Sequence, residues 1–156
     1  MPPPTDPFPP ISPPQLAVYR VDNNTNVDGS PDAGDESIGE FGAGPRSSES
    51  AYWIDAYSAY LGCSNAGPGD CTITINGYDA VSSTRAVFQT VTQPPCHGLK
   101  NCTLALVEFS AGFRNLSGIQ ILAAVNDRPV TWYMDDIQLG WSNNTCAAAT
   151  ERASAE

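Results

Sequence analysis

Two adjacent carboxylates, Asp135 and Asp136, lie in the middle of a segment that is otherwise almost entirely apolar and aromatic, "VTWYMDDIQLGW" at residues 130–141. The segment has the composition of a core strand, and burying a carboxylate costs several kcal/mol unless another group pairs with it. Successive side chains of a strand point to opposite faces, so Asp135 is expected to face inward with Ile137 and Leu139. Asp136 is expected to face the other way unless a β-bulge intervenes.

Few other residues carry the chemistry of a catalytic site. The sequence contains no nucleophile elbow, phosphate-binding loop, metalloprotease helix motif or dinucleotide fingerprint. The one histidine, His97, lies in a turn-rich segment and is interpreted as a surface loop residue. A glycosidase needs two convergent carboxylates, and spacing selects no pair among the candidate acids, so we predict that the protein is not an enzyme. Those acids are Asp55, Asp79, Glu108, Asp135 and Asp136.

The five cysteines are expected to form disulfides rather than a metal site. Cys63 and Cys71 bracket the turn-rich segment "SNAGPGD", which places them opposite each other at the mouth of a hairpin. Cys96 and Cys102 bracket "HGLKN" and form a second predicted pair, which leaves Cys146 without a partner. A zinc site is the alternative, but the spacing contains no C-x2-C and a single histidine cannot complete a usual ligand set.

Composition excludes two classes of partner. The 156 residues include 17 Asp and Glu against 7 Lys and Arg, with a net charge of −10, which disfavours nucleic acid and anionic membrane surfaces. No apolar run is long enough to span a membrane, and the first residues do not form a signal peptide.

The cysteines and four Asn-x-Ser/Thr sequons nonetheless predict a secreted or cell-surface protein. The chain is then expected to be a fragment of a larger exported protein, without the targeting signal. The alternative is a cytosolic protein with chance sequons. The predicted glycosylation sites are Asn23, Asn101, Asn115 and Asn143.

The chain divides by composition into an arm, a domain and a tail. Residues 1–14 are proline-rich, with eight prolines between positions 2 and 14, and are predicted to be an extended linker or an arm laid along the domain. Residues 15–146 form the predicted domain, in which the polar, acidic stretch 22–50 is expected to be a long loop. Residues 147–156 are a tail that forms either a short helix or no regular structure.

Short alternating segments dominate the predicted domain after residue 50. The segment "CTITINGYDA" alternates strictly, and several similar segments follow at the spacing typical of sandwiches and barrels. No segment carries a capped helical period of apolar residues. The sequence therefore predicts an all-β domain, most simply a two-sheet antiparallel β-sandwich.

Four segments in order carry a resemblance to a known class of domain. They are "WIDAYSAYLGC", "CTITINGYD", "FSAGFRNLSGIQIL" and "WYMDDIQLGW", which together cover roughly residues 51–146. This order resembles the jelly-roll fold of galactose-binding-like domains and carbohydrate-binding modules, in which a strand with paired aspartates closes the domain. It is also similar to the C-terminal domains of fungal adhesin-like cell-surface proteins. The resemblance implies a jelly roll and binding of a glycan or of a host-surface or cell-surface component.

The resemblance also implies a structural calcium ion. In many such modules, acids of the last strand and oxygens of an N-terminal loop hold calcium, which takes six to eight oxygen ligands. The implied ligands in this chain are Asp135 and Asp136 together with Asp22 and Asp28 of the acidic stretch.

The alternative partners of the aspartate pair lie within the fold. Asp135 accepts hydrogen bonds from backbone N–H groups, or it pairs with an arginine such as Arg114 or Arg128. In either case the pair serves the structure and holds no metal.

Aromatic residues are the candidates for glycan binding, because the C–H faces of sugars stack on aromatic rings. We select Trp53, Tyr57, Trp132 and Tyr133; the structural alternative for each is packing in the core. Trp132 and Tyr133 lie on opposite faces of one strand, so one of them is expected to face outward. Other aromatic residues that could contribute are Tyr52, Tyr60, Tyr78 and Trp141.

Three functional hypotheses follow from these observations. The first is a non-catalytic binding module of the cell surface or cell wall that mediates adhesion through glycan recognition. The second is a purely structural adhesin or stalk domain without a small-molecule ligand. The third, and the least favoured, is an enzyme that acts on polysaccharide. An exposed aromatic patch with convergent polar groups separates the first hypothesis from the second.

Overall fold

The described part of the chain, residues 7–20, 39–79 and 84–155 of a computed structural model, consists mainly of antiparallel strands. It confirms the prediction of an all-β protein. The strands are β1 (Ala17–Tyr19), β2 (Gly39–Gly42), β3 (Ile54–Cys63), β4 (Cys71–Asp79), β5 (Arg85–Gln93), β6 (Ala105–Glu108), β7 (Leu116–Val125), β8 (Arg128–Pro129) and β9 (Trp132–Trp141), and one helix, α1 (Cys146–Ala153), follows them.

Hydrogen bonding joins the nine described strands into one sheet. The order is β1-β9-β3-β7-β4-β5, while β2 and β8 also pair with β7 and β6 pairs with β3. The junction between β3 and β7 is narrow, because it consists of the single residue pair Ile54 and Leu116. A jelly roll of two separate sheets stays a prediction.

Strict alternation in β4 and β7 builds the core. Ile73 and Ile75 of β4 are fully buried, and so are Ile119 and Ile121 of β7, while the residues between them face away from the core. Residues of β3 and β9 join the same hydrophobic cluster, including the fully buried Trp132. Because β-branched side chains are buried on one face of β4 and β7, the opposite face is the one that remains available for contacts outside the core.

Both predicted disulfides are confirmed. Cys63 at the end of β3 is bonded to Cys71 at the start of β4, and Cys96 is bonded to Cys102. Cys146 is a free, exposed cysteine at the start of α1. Disulfides persist in oxidising compartments, so the two bonds are consistent with an extracellular protein.

The prediction of a structureless loop over residues 22–50 is wrong for the part that the structure describes. Residues 39–42 form β2, which pairs with β7, and a 3-10 helix follows at Gly44–Arg46. The short sequence "GEFG" has no apolar period of its own, so its pairing depends on the exposed edge of β7. Residues 21–38 lie outside the described part of the chain.

The C-terminal tail contains a short helix. The side chain of Thr145 caps α1 by accepting a hydrogen bond from the backbone N–H of Ala148. Arg152 near the end of α1 lies over the ring of Trp141, and the two groups tie the helix to the end of β9. In the described ranges, no helix has the length and apolar character needed to cross a bilayer.

Removal of the two disulfides should have unequal effects. The double variants Cys63→Ala/Cys71→Ala and Cys96→Ala/Cys102→Ala each remove a short cross-link, worth about 2–3 kcal/mol in the chain-entropy model. The first variant should lose more, because Cys71 is fully buried in the main core and its truncation leaves a cavity. Denaturant unfolding in a Cys146→Ser background measures both values. Equal losses would contradict the packing role assigned to Cys71.

Candidate binding groove and the N-terminal arm

A β-bulge changes the direction of the aspartate pair. Tyr60 of β3 is opposite Asp135, whereas Ser58, two residues earlier in β3, is opposite Gln138, so β9 contains one extra residue at this point. Asp136 lies in the bulge with a φ of 45°, in the left-handed region. Bulges with such a residue bend the strand and re-aim side chains. The two carboxylates therefore reach the same neighbouring segment, as the stated exception for a bulge allowed.

The expectation that Asp135 faces inward with Ile137 and Leu139 is wrong. Asp135 lies on the face of β9 that bears Tyr133. Ile137, beyond the bulge, packs against the main core, whereas Leu139 is exposed.

The partners of the two carboxylates belong to the N-terminal arm, a name that we use for residues 7–14. The Oδ2 atom of Asp135 accepts hydrogen bonds from the backbone N–H groups of Ile11 at 2.6 Å and Ser12 at 3.0 Å. The Oδ2 atom of Asp136 accepts a hydrogen bond from the Ser12 hydroxyl at 2.8 Å. This confirms the alternative of backbone donors, while Arg114 donates to backbone carbonyls of Ala56 and Phe113.

An aromatic side chain fixes the other end of the arm. Phe8 is 3% exposed, and its ring centroid lies 4.7 Å from that of Tyr133. Cys102 and Leu104 belong to the same small hydrophobic cluster, and the backbone N–H of Cys102 donates to the carbonyl of Pro7. The arm thus covers the face of β9 that bears Tyr133.

The aspartate pair does not form a calcium site from the described residues alone. In residues 7–20, 39–79 and 84–155, no group of three or more His, Cys, Asp or Glu side chains converges. Both Oδ2 atoms of the pair accept hydrogen bonds from the arm, and calcium needs six to eight oxygens. The other two implied ligands, Asp22 and Asp28, lie outside the described residues, so calcium binding stays a prediction.

The expectation that Trp132 or Tyr133 faces outward is wrong. Trp132 is 0% exposed and stacks on Tyr19 of β1, with ring centroids 4.1 Å apart. Tyr133, on the opposite face, is 4% exposed because the arm covers it. The alternation of the strand is as predicted, but both of its faces are covered, and neither ring offers a platform to a ligand.

The other two residues predicted to bind glycan, Trp53 and Tyr57, have different surroundings. Trp53 is half-buried just before β3, and its Nε1–H donates to the carbonyl of Ser47 at 2.9 Å. Tyr57 in β3 is 43% exposed, and the guanidinium of Arg114 lies 4.3 Å from the centre of its ring. Glycan binding by these two residues stays a prediction.

A groove of about 790 Å³ lies on the face of β2, β7 and β4 that points away from the core. Its polar lining comes from carboxylate, hydroxyl and amide groups, and glycines form part of its floor. The lining residues are Glu40, Phe41, Gly42, Gly44, Ser47, Tyr78, Ser117, Gly118 and Gln120.

One row of side chains crosses four strands, and two of its members, Glu40 and Gln120, line this groove. Glu40 of β2 is opposite Gln120 of β7, which is opposite Asn76 of β4, which in turn is opposite Phe88 of β5. Cross-strand neighbours project from the same face of a sheet. The row therefore places an acid, two amides and an aromatic ring side by side, and Phe88 is 60% exposed.

Hydrogen bonds hold the amides of the row in position. The Oε1 atom of Gln120 accepts from the Tyr78 hydroxyl at 2.8 Å and from Nδ2 of Asn76 at 3.4 Å. The Oδ1 atom of Asn76 is buried and has no partner among the described residues, and the side chain of Asn76 is 6% exposed. A buried acceptor without a donor is costly, and such groups are rare outside functional or water-filled sites.

Two glycines make the floor of the groove. Gly42 is opposite Gly118, and a Cβ atom on Gly42 would lie 2.3 Å from the carbonyl oxygen of Ser117, so no larger residue fits there. A Cβ atom on Gly118 would meet the carbonyl oxygen of Phe41 at 3.4 Å and Oε1 of Glu40 at 4.0 Å, which are ordinary contacts. The carboxylate of Glu40 thus lies over Gly118 at the open side of the floor.

Sequence reasoning missed most of the groove. Glu40 fell in the stretch interpreted as a loop, and Tyr78 was only one of several candidate aromatic residues. The available signal was the alternation of β4 and β7: Gln120 lies between the buried Ile119 and Ile121, and Asn76 directly follows the buried Ile75, so both are placed on the face away from the core. The sequence pattern does not show the pairing of β4 with β7, which brings the two amides together.

The described sequons differ in accessibility. Asn101 and Asn115 are exposed, each with a positive φ. Asn143 is half-buried, and its Oδ1 atom accepts hydrogen bonds from the backbone N–H and the hydroxyl of Thr145. Asn23 lies outside the described residues, and glycosylation at the four positions stays a prediction.

Fold and site together define a disulfide-bonded all-β domain with a polar groove on the face of the sheet opposite the core. The chain belongs to the DUF7371 family, a domain of unknown function, whose family model matches residues 1–152. No curated protein matches the sequence. The relationship to galactose-binding-like domains and to adhesin-like proteins stays a prediction.

Replacement of Asp135 should release the arm. Asp135→Ala leaves the N–H groups of Ile11 and Ser12 without their acceptor, and the loss of bonds to a charged group should lower the free energy of unfolding by about 1.5–3 kcal/mol. Asp136→Gly, the matched control, removes the bond from the Ser12 hydroxyl without strain at the positive φ of this residue and should lose less. Hydrogen exchange at the Ile11 amide and denaturant unfolding measure the effect. Unchanged protection of that amide in Asp135→Ala would show that the carboxylate does not hold the arm.

Proposed function

We propose that this domain is a non-catalytic binding module that recognises a neutral glycan in the groove of β2, β7 and β4. The observation that carries the proposal is the row of Glu40, Gln120, Asn76 and Phe88 across four adjacent strands, which begins in the groove with Glu40 and Gln120 and continues beside it. A carboxylate and amides hydrogen-bond to hydroxyl groups, and an exposed aromatic ring stacks on the apolar face of a sugar. This combination is the one that we expected of a glycan site, although other residues provide it.

Charge supports a neutral ligand over an anionic one. Glu40 lies at the open side of the groove floor, and the chain carries a net charge of −10. A polyanion would be repelled both by the local carboxylate and by the overall field. Neutral hydroxyl groups instead gain an ionised acceptor, which makes stronger hydrogen bonds than a neutral one.

Binding without catalysis fits the chemical groups of the groove. Glu40 is the only carboxylate among the described lining residues, whereas glycoside hydrolysis uses two. Hydroxyl groups and the amide of Gln120 supply the remaining polar side-chain groups of the lining, and they bind a ligand without providing a nucleophile and its base.

Location at a cell surface or in a cell wall follows from the same proposal. The two disulfides suit an oxidising compartment, and a module that binds glycan there would serve adhesion. A purely structural stalk domain is the alternative function, and it predicts no saturable ligand in the groove.

Binding to an array of glycans and to insoluble cell-wall polysaccharides tests the proposal. Gln120→Ala removes an amide from the centre of the row and should weaken binding about tenfold, the effect of one lost hydrogen bond of about 1.4 kcal/mol. Gly118→Ala adds a methyl group to the floor at ordinary contact distances, so it should reduce binding while the fold is retained.

Tyr57→Ala is the matched control, because Tyr57 is exposed but does not line the groove. Its affinity should equal that of the unmodified protein, and thermal unfolding should show that all three variants are folded. If Tyr57→Ala lost binding while the two groove variants bound fully, the binding site would lie on β3 and not in the groove. Absence of saturable binding to any neutral glycan would favour the structural stalk domain.

A further inference from the structure

We infer that the groove recognises two hydroxyl groups on adjacent carbon atoms of a sugar, with Glu40 as the acceptor for one and the amide of Gln120 as the donor to the other. This specificity rests on the proposed function and narrows the ligand to a sugar with a vicinal diol. Tyr78 and Asn76 act as positioning residues, because they hold the amide of Gln120 in the orientation that makes it a donor.

The two recognition groups are neighbours on paired strands. Glu40 of β2 is directly opposite Gln120 of β7. The backbone N–H of Ala43 donates to the carbonyl of Ser117, so the hydrogen-bonded pairs of this ladder alternate from that pair and skip Glu40. Glu40 and Gln120 thus form a non-hydrogen-bonded pair, in which side chains lie closest, with Cβ atoms about 4.5–5.5 Å apart.

Two donors determine the orientation of the Gln120 amide. Its Oε1 atom accepts hydrogen bonds from the Tyr78 hydroxyl at 2.8 Å and from Nδ2 of Asn76 at 3.4 Å. In the described part of the chain, both hydrogen bonds of this side chain end on that oxygen, so the N–H groups of Nε2 remain for a ligand. Because Gln120 lines the groove opposite Glu40, the pair presents a donor and a carboxylate acceptor side by side.

Asn76 directs its donor to Gln120 although its own acceptor has no partner. The side chain of Asn76 is 6% exposed, and its Oδ1 atom is unpaired among the described residues. A buried acceptor without a donor destabilises a fold, and such groups are rare away from functional sites. The contact with Gln120 explains the arrangement: Nδ2 of Asn76 cannot accept a hydrogen bond, so the Gln120 amide does not turn its own N–H groups inward.

A vicinal diol matches this donor and acceptor better than a single hydroxyl group does. A hydroxyl group both donates and accepts hydrogen bonds. One hydroxyl of the diol can donate to the carboxylate of Glu40 while its neighbour accepts from Nε2 of Gln120. The adjoining positions of β2 and β7 are Gly42 and Gly118, which carry no side chain, so the pair is accessible to a sugar from that side.

Nuclear magnetic resonance of the Gln120 side-chain amide tests the inference. The probes are the methyl glycosides of glucose, mannose and galactose, which present adjacent hydroxyl groups in both cis and trans arrangements, and their monodeoxy derivatives. At least one parent glycoside should shift the Nε2 signals of Gln120. Removal of either hydroxyl of one adjacent pair should weaken its binding about tenfold, and removal of other hydroxyls should have less effect.

Two outcomes of that titration would overturn the inference. One is that none of the three glycosides shifts the Gln120 signals; the other is that a glycoside binds without dependence on two adjacent hydroxyl groups. Saturable binding of another neutral glycan in the groove would then leave the proposed function in place. Absence of binding by every neutral glycan would contradict both.

Gln120→Glu replaces the donor and keeps an oxygen for the hydrogen bonds from Tyr78 and Asn76. Two carboxylates then lie opposite each other without a donor for the diol, so affinity for the parent glycoside should fall about tenfold or more. Exchange of the two groups in Glu40→Gln/Gln120→Glu restores one donor and one acceptor and should recover part of the affinity. Full affinity in a folded Gln120→Glu variant would show that Gln120 is not the donor.

Tyr78→Phe tests the positioning role, because it keeps the ring and removes the hydroxyl that donates to Gln120. The parent glycoside should bind about three- to tenfold more weakly. Discrimination against the deoxy derivative to which Gln120→Glu is insensitive should be lost as well, whereas a loosened fold would weaken parent and derivative equally. Tyr57→Phe, the matched control, removes an exposed hydroxyl outside the groove and should change neither affinity. Equal weakening of both ligands in Tyr78→Phe would contradict the positioning role.

Discussion

The hydrogen-bond ladder of β7 is the constraint on which the rest of the structure depends. This strand pairs with β2, β3, β4 and β8, and no other described strand has as many partners. Its side chains alternate between the fully buried Ile119 and Ile121 and the groove residues Gly118 and Gln120. A shift of one residue in its register would expose the isoleucines and bury the glutamine. The same register of β7 thus places one set of its residues in the core and the alternate set in the groove.

The aspartate pair illustrates how a charged group within an apolar segment is accommodated. Strand β9 contributes Trp132 to the core on one side and Tyr133 to the contact with the N-terminal arm on the other. Asp135, two residues after Tyr133 in the regular part of the strand, faces the arm and accepts its backbone N–H groups. The bulge at Asp136 turns the second carboxylate toward the Ser12 hydroxyl of the same arm, and these bonds offset the desolvation of the pair. The same bonds bring Phe8 over Tyr133, so polar and apolar contacts hold the arm together.

The groove and the contact with the N-terminal arm lie on different strands and differ in chemistry. The groove offers an acid, an amide and hydroxyl groups, which suit a hydroxylated ligand in water, and the exposed ring of Phe88 lies in the same row of strand positions. On the other surface, the buried ring of Tyr133 and two carboxylate acceptors hold the arm. No described residue of the arm lines the groove.

Local patterns in the sequence determined the all-β class, the two disulfides and the lack of a helix in the described part of the proline-rich arm. Each depends on nearby residues: strict alternation in β4, short loops between paired cysteines, and prolines that exclude a helix. Tertiary structure alone decided that Tyr133 is covered, that Asp136 turns with a bulge, and that Glu40, Gln120, Asn76 and Phe88 form one row. These features join segments far apart in the chain, as in the bond between Ile11 and Asp135 across 124 positions. Alternation predicts which side a residue faces, whereas strand pairing decides what meets it there.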